Sequence, residues 1–277
     1  MTSATTSETL RSVHPFGGEA RDERGGPILL VHGLGGSSAN WLGVLPGLRG
    51  RRILAPDLPG HGRARPLAGR ATADAYVRCL AELIETECGE PVTVVGHSFG
   101  GLLAARLALG HPECVRNLVL VAAAGISTTS RATQRYVAVT TRIRPARFVR
   151  PLALRLGGRR RVRRTLLGPW FVSDAAALDP RALRAVFQDV HLHADLAAAG
   201  RAMVHDDLRA EAAGITCPTV VLWGARDLQL PLSDGFELAR RIGAPIRTVP
   251  DCGHLLPIER PDTVVDAVRE VEEQRPG

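Results

Sequence analysis

The 277-residue chain has no lysine; all 35 of its basic residues are arginine. With no lysine amine there is no lysine Schiff base, so pyridoxal enzymes and lysine-type aldolases are excluded. No run approaches the roughly 18 consecutive apolar residues of a membrane span. The Thr/Ser-rich stretch from Met1 to Ser12 lacks the apolar core of a secretion signal, so no signal peptide is expected. Cysteine is scarce. Cys79, Cys88, Cys114, Cys217 and Cys252 form an odd, scattered set, which fits free thiols in a reducing cytoplasm better than a disulfide framework.

Acidic residues are missing from one long stretch. Between Ile126 and Ser173 stand twelve arginines and no Asp or Glu. The rest of the chain is net acidic, so the whole formal charge of +7 arises in this segment. Three readings apply. The leading one is a solvated surface that reflects codon usage. The second is a docking patch for an anionic substrate or an acidic partner, such as an acyl-carrier protein or a coenzyme A phosphate. Nucleic-acid or membrane binding ranks last, because aromatic interleaving is sparse and no nucleic-acid module is present. Neither nucleic acid nor an integral membrane segment is expected.

What the chain does have is Val92-Thr93-Val94-Val95-Gly96-His97-Ser98-Phe99-Gly100-Gly101. An apolar, β-branched run meets G-x-S-x-G, and a helix-forming run follows. This is the context in which a serine sits on a sharp, strained turn with its hydroxyl exposed. A side chain at Gly96 or Gly100 would collide across such a turn. Serine is a poor nucleophile at neutral pH and needs a base. Asp227 follows an apolar strand pattern and a glycine turn (Thr219 to Gly224), and His254 follows the strand pattern Ile246 to Val249. The order Ser98, Asp227, His254 is the one expected when such residues hang from successive strand ends. Asp227 is preferred over Asp234 and Asp251 as the acid. Cys252 reads as a packing residue.

Four stretches carry a resemblance to the α/β-hydrolase superfamily, in its capped, esterase-like branch of serine hydrolases. They are His32-Gly33-Leu34-Gly35-Gly36, Asp57 to Gly62, Gly96 to Gly101, and Trp223 to Asp227 taken with Gly253-His254. The resemblance implies a catalytic triad of Ser98, Asp227 and His254. It also implies an oxyanion hole from the backbone N–H groups of Leu34 and Phe99. Epoxide hydrolases and haloalkane dehalogenases of this superfamily use an aspartate nucleophile, so Ser98 disfavours both. The expected activity is cleavage of a carboxylic ester, lactone or thioester in a small-molecule acyl substrate through an acyl-enzyme. The alternatives are a carbon–carbon bond hydrolase or a non-hydrolytic biosynthetic cyclase or lyase. A receptor with vestigial chemistry ranks last. No cofactor is implied.

Strand patterns at 28–31, 53–55, the elbow, 118–121, 219–223 and 246–249 alternate with helical patterns at 73–88, after the elbow, near 233–242 and from Pro261. That alternation means an α/β fold with a mostly parallel sheet covered by helices on both faces. Residues 126–207 break it with prolines and helical patterns. They read as an Arg-rich helical cap inserted in a core of residues 1–125 and 208–277. Tyr136, Phe148, Trp170, Phe171 and Phe187 are candidates for a substrate pocket in that cap. His191-Leu192-His193-Ala194-Asp195 has a metal-like H-x-H-x-D spacing. On a helix those histidines diverge, so solvated cap residues are expected and no metal.

Overall fold

The computed structural model describes residues 26–274 except 176 and 191; for 166, 167, 169–171 and 182 only the backbone is described. The start of the chain, where an irregular opening is expected, lies outside the described residues.

Six strands form one all-parallel sheet: β1 (Ile28–Val31), β2 (Ile53–Leu54), β3 (Val92–His97), β4 (Val115–Val121), β5 (Thr219–Gly224) and β6 (Ile246–Val249). Their spatial order is β2-β1-β3-β4-β5-β6. Every residue of β1, β3 and β5 is buried. That is why these strands are continuous apolar runs rather than alternating ones.

Helices α1 (Ala73–Glu87), α2 (Phe99–Gly110), α8 (Leu232–Ile242) and α9 (Pro261–Glu273) flank the sheet. Helix α1 shows how local signals set an element. The Thr72 side chain accepts the Ala75 N–H at 3.2 Å and caps the start. Tyr76, Val77, Leu80, Leu83 and Ile84 then bury one face. Gly89, at φ 66°, stops the helix by returning its N–H to Ile84 O.

The strand order reverses between β1 and β3, which pair with Val31 opposite Gly96. In open parallel sheets, ligands bind beyond the carboxyl ends of the strands at such a switch point. The residues just past those two ends are His32-Gly33-Leu34 and Ser98.

Between β4 and β5 the chain forms α3 (Arg131–Ile143), α4 (Pro145–Leu156), α5 (Arg160–Phe171), α6 (Pro180–Asp189) and α7 (Leu196–Val204). Ala153, Val172, Ala175, Leu178, Leu183, Phe187 and Val190 make a small apolar cluster separate from the main core. Helix α3 packs on α7, where Gly200 leaves room for Val137 and Thr141. The insertion is also tied to the core. The Ala194 and Asp195 N–H groups both donate to Gly60 O, at 2.8 and 3.1 Å. Among the described residues no helix is long and apolar enough to cross a membrane.

Candidate active site

Ser98 joins the end of β3 to the start of α2 with φ 54° and ψ −116°. A non-glycine residue there is strained, and such strain persists only where the surroundings over-determine it. Here the Ser98 N–H donates to Val121 O at 3.0 Å, while its carbonyl accepts from Gly101, Leu102 and Ala124. A Cβ on Gly100 would strike the carbonyls of Val31 and His32, and one on Gly96 would strike the Gly100 carbonyl. Both glycines are therefore required by close approach, as the sequence indicates.

Two loops bring the partners to Ser98. The turns after β5 and β6 lie against each other, with the Arg226 N–H donating to Cys252 O at 2.9 Å. Asp227 and His254 thereby meet. His254 Nδ1 lies 2.7 Å from Asp227 Oδ2, and Nε2 lies 3.0 Å from Ser98 Oγ. Asp227 Oδ1 is occupied by the N–H groups of Gln229 and Leu230, at 2.8 and 2.9 Å. A carboxylate held this way presents its other oxygen to the imidazole. Nδ1 is then the donor, and Nε2 is free to accept from the serine hydroxyl.

The rival acids are engaged elsewhere. Asp234 accepts both the Ser127 N–H and hydroxyl, at 3.0 and 2.6 Å. Asp251 is exposed and pairs with Arg226 at 2.7 Å. Cys252 is fully buried, and burial reinforced by Glu259 pushes its thiol up. It is a protonated packing residue.

The loop after β1 forms a turn closed by the Gly36 N–H donating to Gly33 O at 3.0 Å, with Gly35 at φ 72°. The closing bond leaves the Leu34 N–H at the corner of the turn unused. Phe99 opens α2, so its N–H has no carbonyl partner within the helix. The loop runs hard against the elbow: a Cβ on Gly33 would sit 3.0 Å from Ser98 Cβ. His32 fixes the loop from below. Burial pushes its pKa down. Its neutral ring donates Nδ1–H to Gly33 O at 2.8 Å and accepts the Leu58 N–H on Nε2 at 2.9 Å.

His97 is buried, and its pKa is lowered to about 3, first by burial and then by the charge of His254. Its Nε2–H donates to the His254 carbonyl at 2.8 Å, with the two rings 4.9 Å apart. His97 therefore holds the backbone of the imidazole loop.

Of the other sequence candidates, Phe187 packs in the small apolar cluster. Tyr136 and Phe148 face solvent, 54% and 77% exposed. The side chains of Trp170 and Phe171 lie outside the described residues. The structure corrects the expectation of solvated histidines at 191–195 for His193, since His191 lies outside the described residues. His193 is buried, accepts the Gly62 N–H at 2.8 Å and lies 5.7 Å from the His61 ring. Its partner is 131 residues away, and nothing in local spacing encodes that.

Sequence reasoning also missed Glu259. Its buried carboxylate accepts the Gly253 N–H at 2.9 Å and the Ser173 N–H at 2.7 Å. One side chain thus holds both the His254 loop and the segment after α5. A single acid between Ile258 and Arg260 carries no pattern that would reveal this.

Comparison with known proteins agrees with the architecture. The model of the Alpha/beta hydrolase family matches residues 28–267. The chain belongs to that family. An esterase structure from Thermogutta terrifontis is similar at 27% identity, covering 89% of each chain, with a TM-score of 0.70. The enol-lactonase from Burkholderia xenovorans LB400 is similar at 26% identity, covering 93% of this chain and 95% of its own, with a TM-score of 0.75. A 2-hydroxymuconate semialdehyde hydrolase from a Pseudomonas strain is 40% identical over 108 residues, 37% of this chain and 38% of its own. The first curated relatives match over a similar fraction, about 35% of their length.

Proposed function

We propose that the protein is an enzyme, a serine hydrolase that cleaves a carboxylic ester, lactone or thioester through an acyl-enzyme. The observation that carries this reading is the hydrogen-bonded line from Ser98 through His254 to Asp227, at 3.0 and 2.7 Å, mounted on a strained elbow at the switch point. The likeness to an esterase and an enol-lactonase supports the same class of bond.

In this reading Ser98 Oγ attacks the substrate carbonyl while His254 Nε2 takes its proton. Asp227 keeps the imidazole in the required tautomer and stabilises the imidazolium. The Leu34 and Phe99 N–H groups donate to the developing oxyanion. His254 then protonates the leaving group. Water, activated by the same imidazole, attacks the acyl carbonyl and returns Ser98 to its starting state. Residues 1–125 and 208–277 act as the catalytic core and residues 126–207 as its cap.

A second reading is hydrolysis of a carbon–carbon bond next to a carbonyl. The similarity to the 2-hydroxymuconate semialdehyde hydrolase favours it.

The test is intact-mass spectrometry after incubation with a fluorophosphonate, alongside Ser98→Ala. One adduct, absent from the variant, is expected. A folded protein that forms no adduct overturns the proposal. Ester, lactone, thioester and vinylogous diketone substrates then separate the two readings by kcat/KM.

A further inference from the structure

We propose that the outer face of α3 and α4 is a docking surface for an anionic lipid bilayer. Helix α3 turns Val137 and Thr141 inward, against Gly200. Its outer side carries two stripes. Arg131, Arg135 and Arg142 form one, and Tyr136, Val139 and Ile143, each more than half exposed, form the other. Both stripes follow helical spacing. Helix α4 repeats the arrangement. Ala153 points in, while Phe148 and Leu152 stand exposed among Arg147 and Arg155. Five of the eight large apolar side chains exposed among the described residues lie on these two helices. The interleaving that the sequence pattern does not reveal is supplied by the helical phase.

Among the described residues nothing neutralises this face. No acid occurs between Ile126 and Ser173. Among the described residues, none of Arg131, Arg135, Arg142, Arg147 and Arg155 pairs with a carboxylate. A second copy docked through the same face would set arginine against arginine, which disfavours self-association. A bilayer with anionic headgroups matches both features. Guanidinium groups pair with phosphate oxygens at headgroup level, and the apolar side chains between them enter the acyl boundary. The inference does not depend on the catalytic reading.

The test is co-sedimentation of the full chain with phosphatidylcholine vesicles, with and without phosphatidylglycerol, at low and high salt. Binding is expected only with phosphatidylglycerol, and it should weaken as salt rises. Arg135→Gln/Arg142→Gln/Arg147→Gln should weaken it roughly a hundredfold, from the usual contribution of each basic residue near an anionic surface. Ile143→Ser/Phe148→Ser, at unchanged charge, should weaken it about tenfold or more. All five positions are exposed, so thermal midpoints should not move. Ser98→Ala should bind like the unaltered protein, which separates this outcome from any failure of the catalytic reading. Absence of binding at low salt, or equal binding to neutral vesicles, overturns the proposal. So does full binding by Ile143→Ser/Phe148→Ser. If polyglutamate displaces that bound variant, the face serves an acidic protein instead.

Discussion

Asp227→Asn probes the relay most sharply, because its surroundings dictate how the amide must sit. Two N–H donors, from Gln229 and Leu230, lie 2.8 and 2.9 Å from Oδ1. They can be satisfied only if the asparagine oxygen takes that position. Its NH2 group then faces His254 Nδ1, now donor against donor. The imidazole proton must move to Nε2, which points at Ser98 Oγ 3.0 Å away. Nε2 becomes a donor to the hydroxyl instead of its acceptor, and the proposed general base is lost. A wrong-tautomer relay of this kind costs on the order of 10⁴ in kcat, about 5.4 kcal/mol of transition-state stabilisation. KM should change little, since the Asp227 side chain is fully buried behind the imidazole. The assay is steady-state hydrolysis of the best ester substrate, with fluorophosphonate labelling rates as a second readout. A folded variant that keeps kcat within tenfold of the parent refutes the argument, and with it the assignment of Asp227 as the orienting acid.

Two further outcomes follow from packing and burial. Gly100→Ala forces a methyl group into the carbonyls of Val31 and His32; it should cost more than about 3 kcal/mol and appear as a collapse of the thermal midpoint. His193 has its pKa lowered to about 4 from 6.5 by burial and by neighbouring His32. It stays neutral in the fold where the unfolded chain takes up a proton. Its contribution is therefore full above pH 6.5 and is lost as pH falls from there to about 4, to the extent of roughly 3 kcal/mol. His193→Gln should flatten the thermal midpoint across that window. An unchanged slope would assign the acid sensitivity to His32, His61 and His97 alone.

The sheet was legible because parallel strands buried on both faces are written as uninterrupted apolar runs. Ile28–Val31, buried throughout, has the bounds read from sequence, and so has Ile246–Val249, although that edge strand is partly exposed and carries Arg247 and Thr248. β4 begins at Val115 rather than Leu118. Exposed Arg116 and buried Asn117 disguise its first turn of pairing, and Asn117 is accommodated by donating to Thr93 Oγ1 at 3.1 Å. The elbow was legible because its glycines, serine and flanking elements are contiguous. So was the pairing of a strand end with an acid or a histidine. Residues whose meaning lies in a distant partner were not legible. His193 needs Gly62, and Glu259 needs Gly253 and Ser173. Tyr136 and Phe148 read as pocket candidates because aromatic content alone does not give helical phase. Their exposure follows from Val137, Thr141 and Ala153 taking the inward positions.

The double grip of Glu259 has a mechanical consequence. Lifting the Val172–Ser173 segment would strip one donor from a buried carboxylate whose other oxygen steadies Gly253, the residue before His254. The insertion cannot swing away at that edge without loosening the imidazole, and its opposite edge is stitched to Gly60. Ahead of the first of these anchors, the chain can bend most easily at Gly157-Gly158 and at Gly168, where α5 is already broken at φ 42°. Bending confined to those glycines would leave both anchors, and with them the loop that carries His254, in register while helices α4 and α5 move.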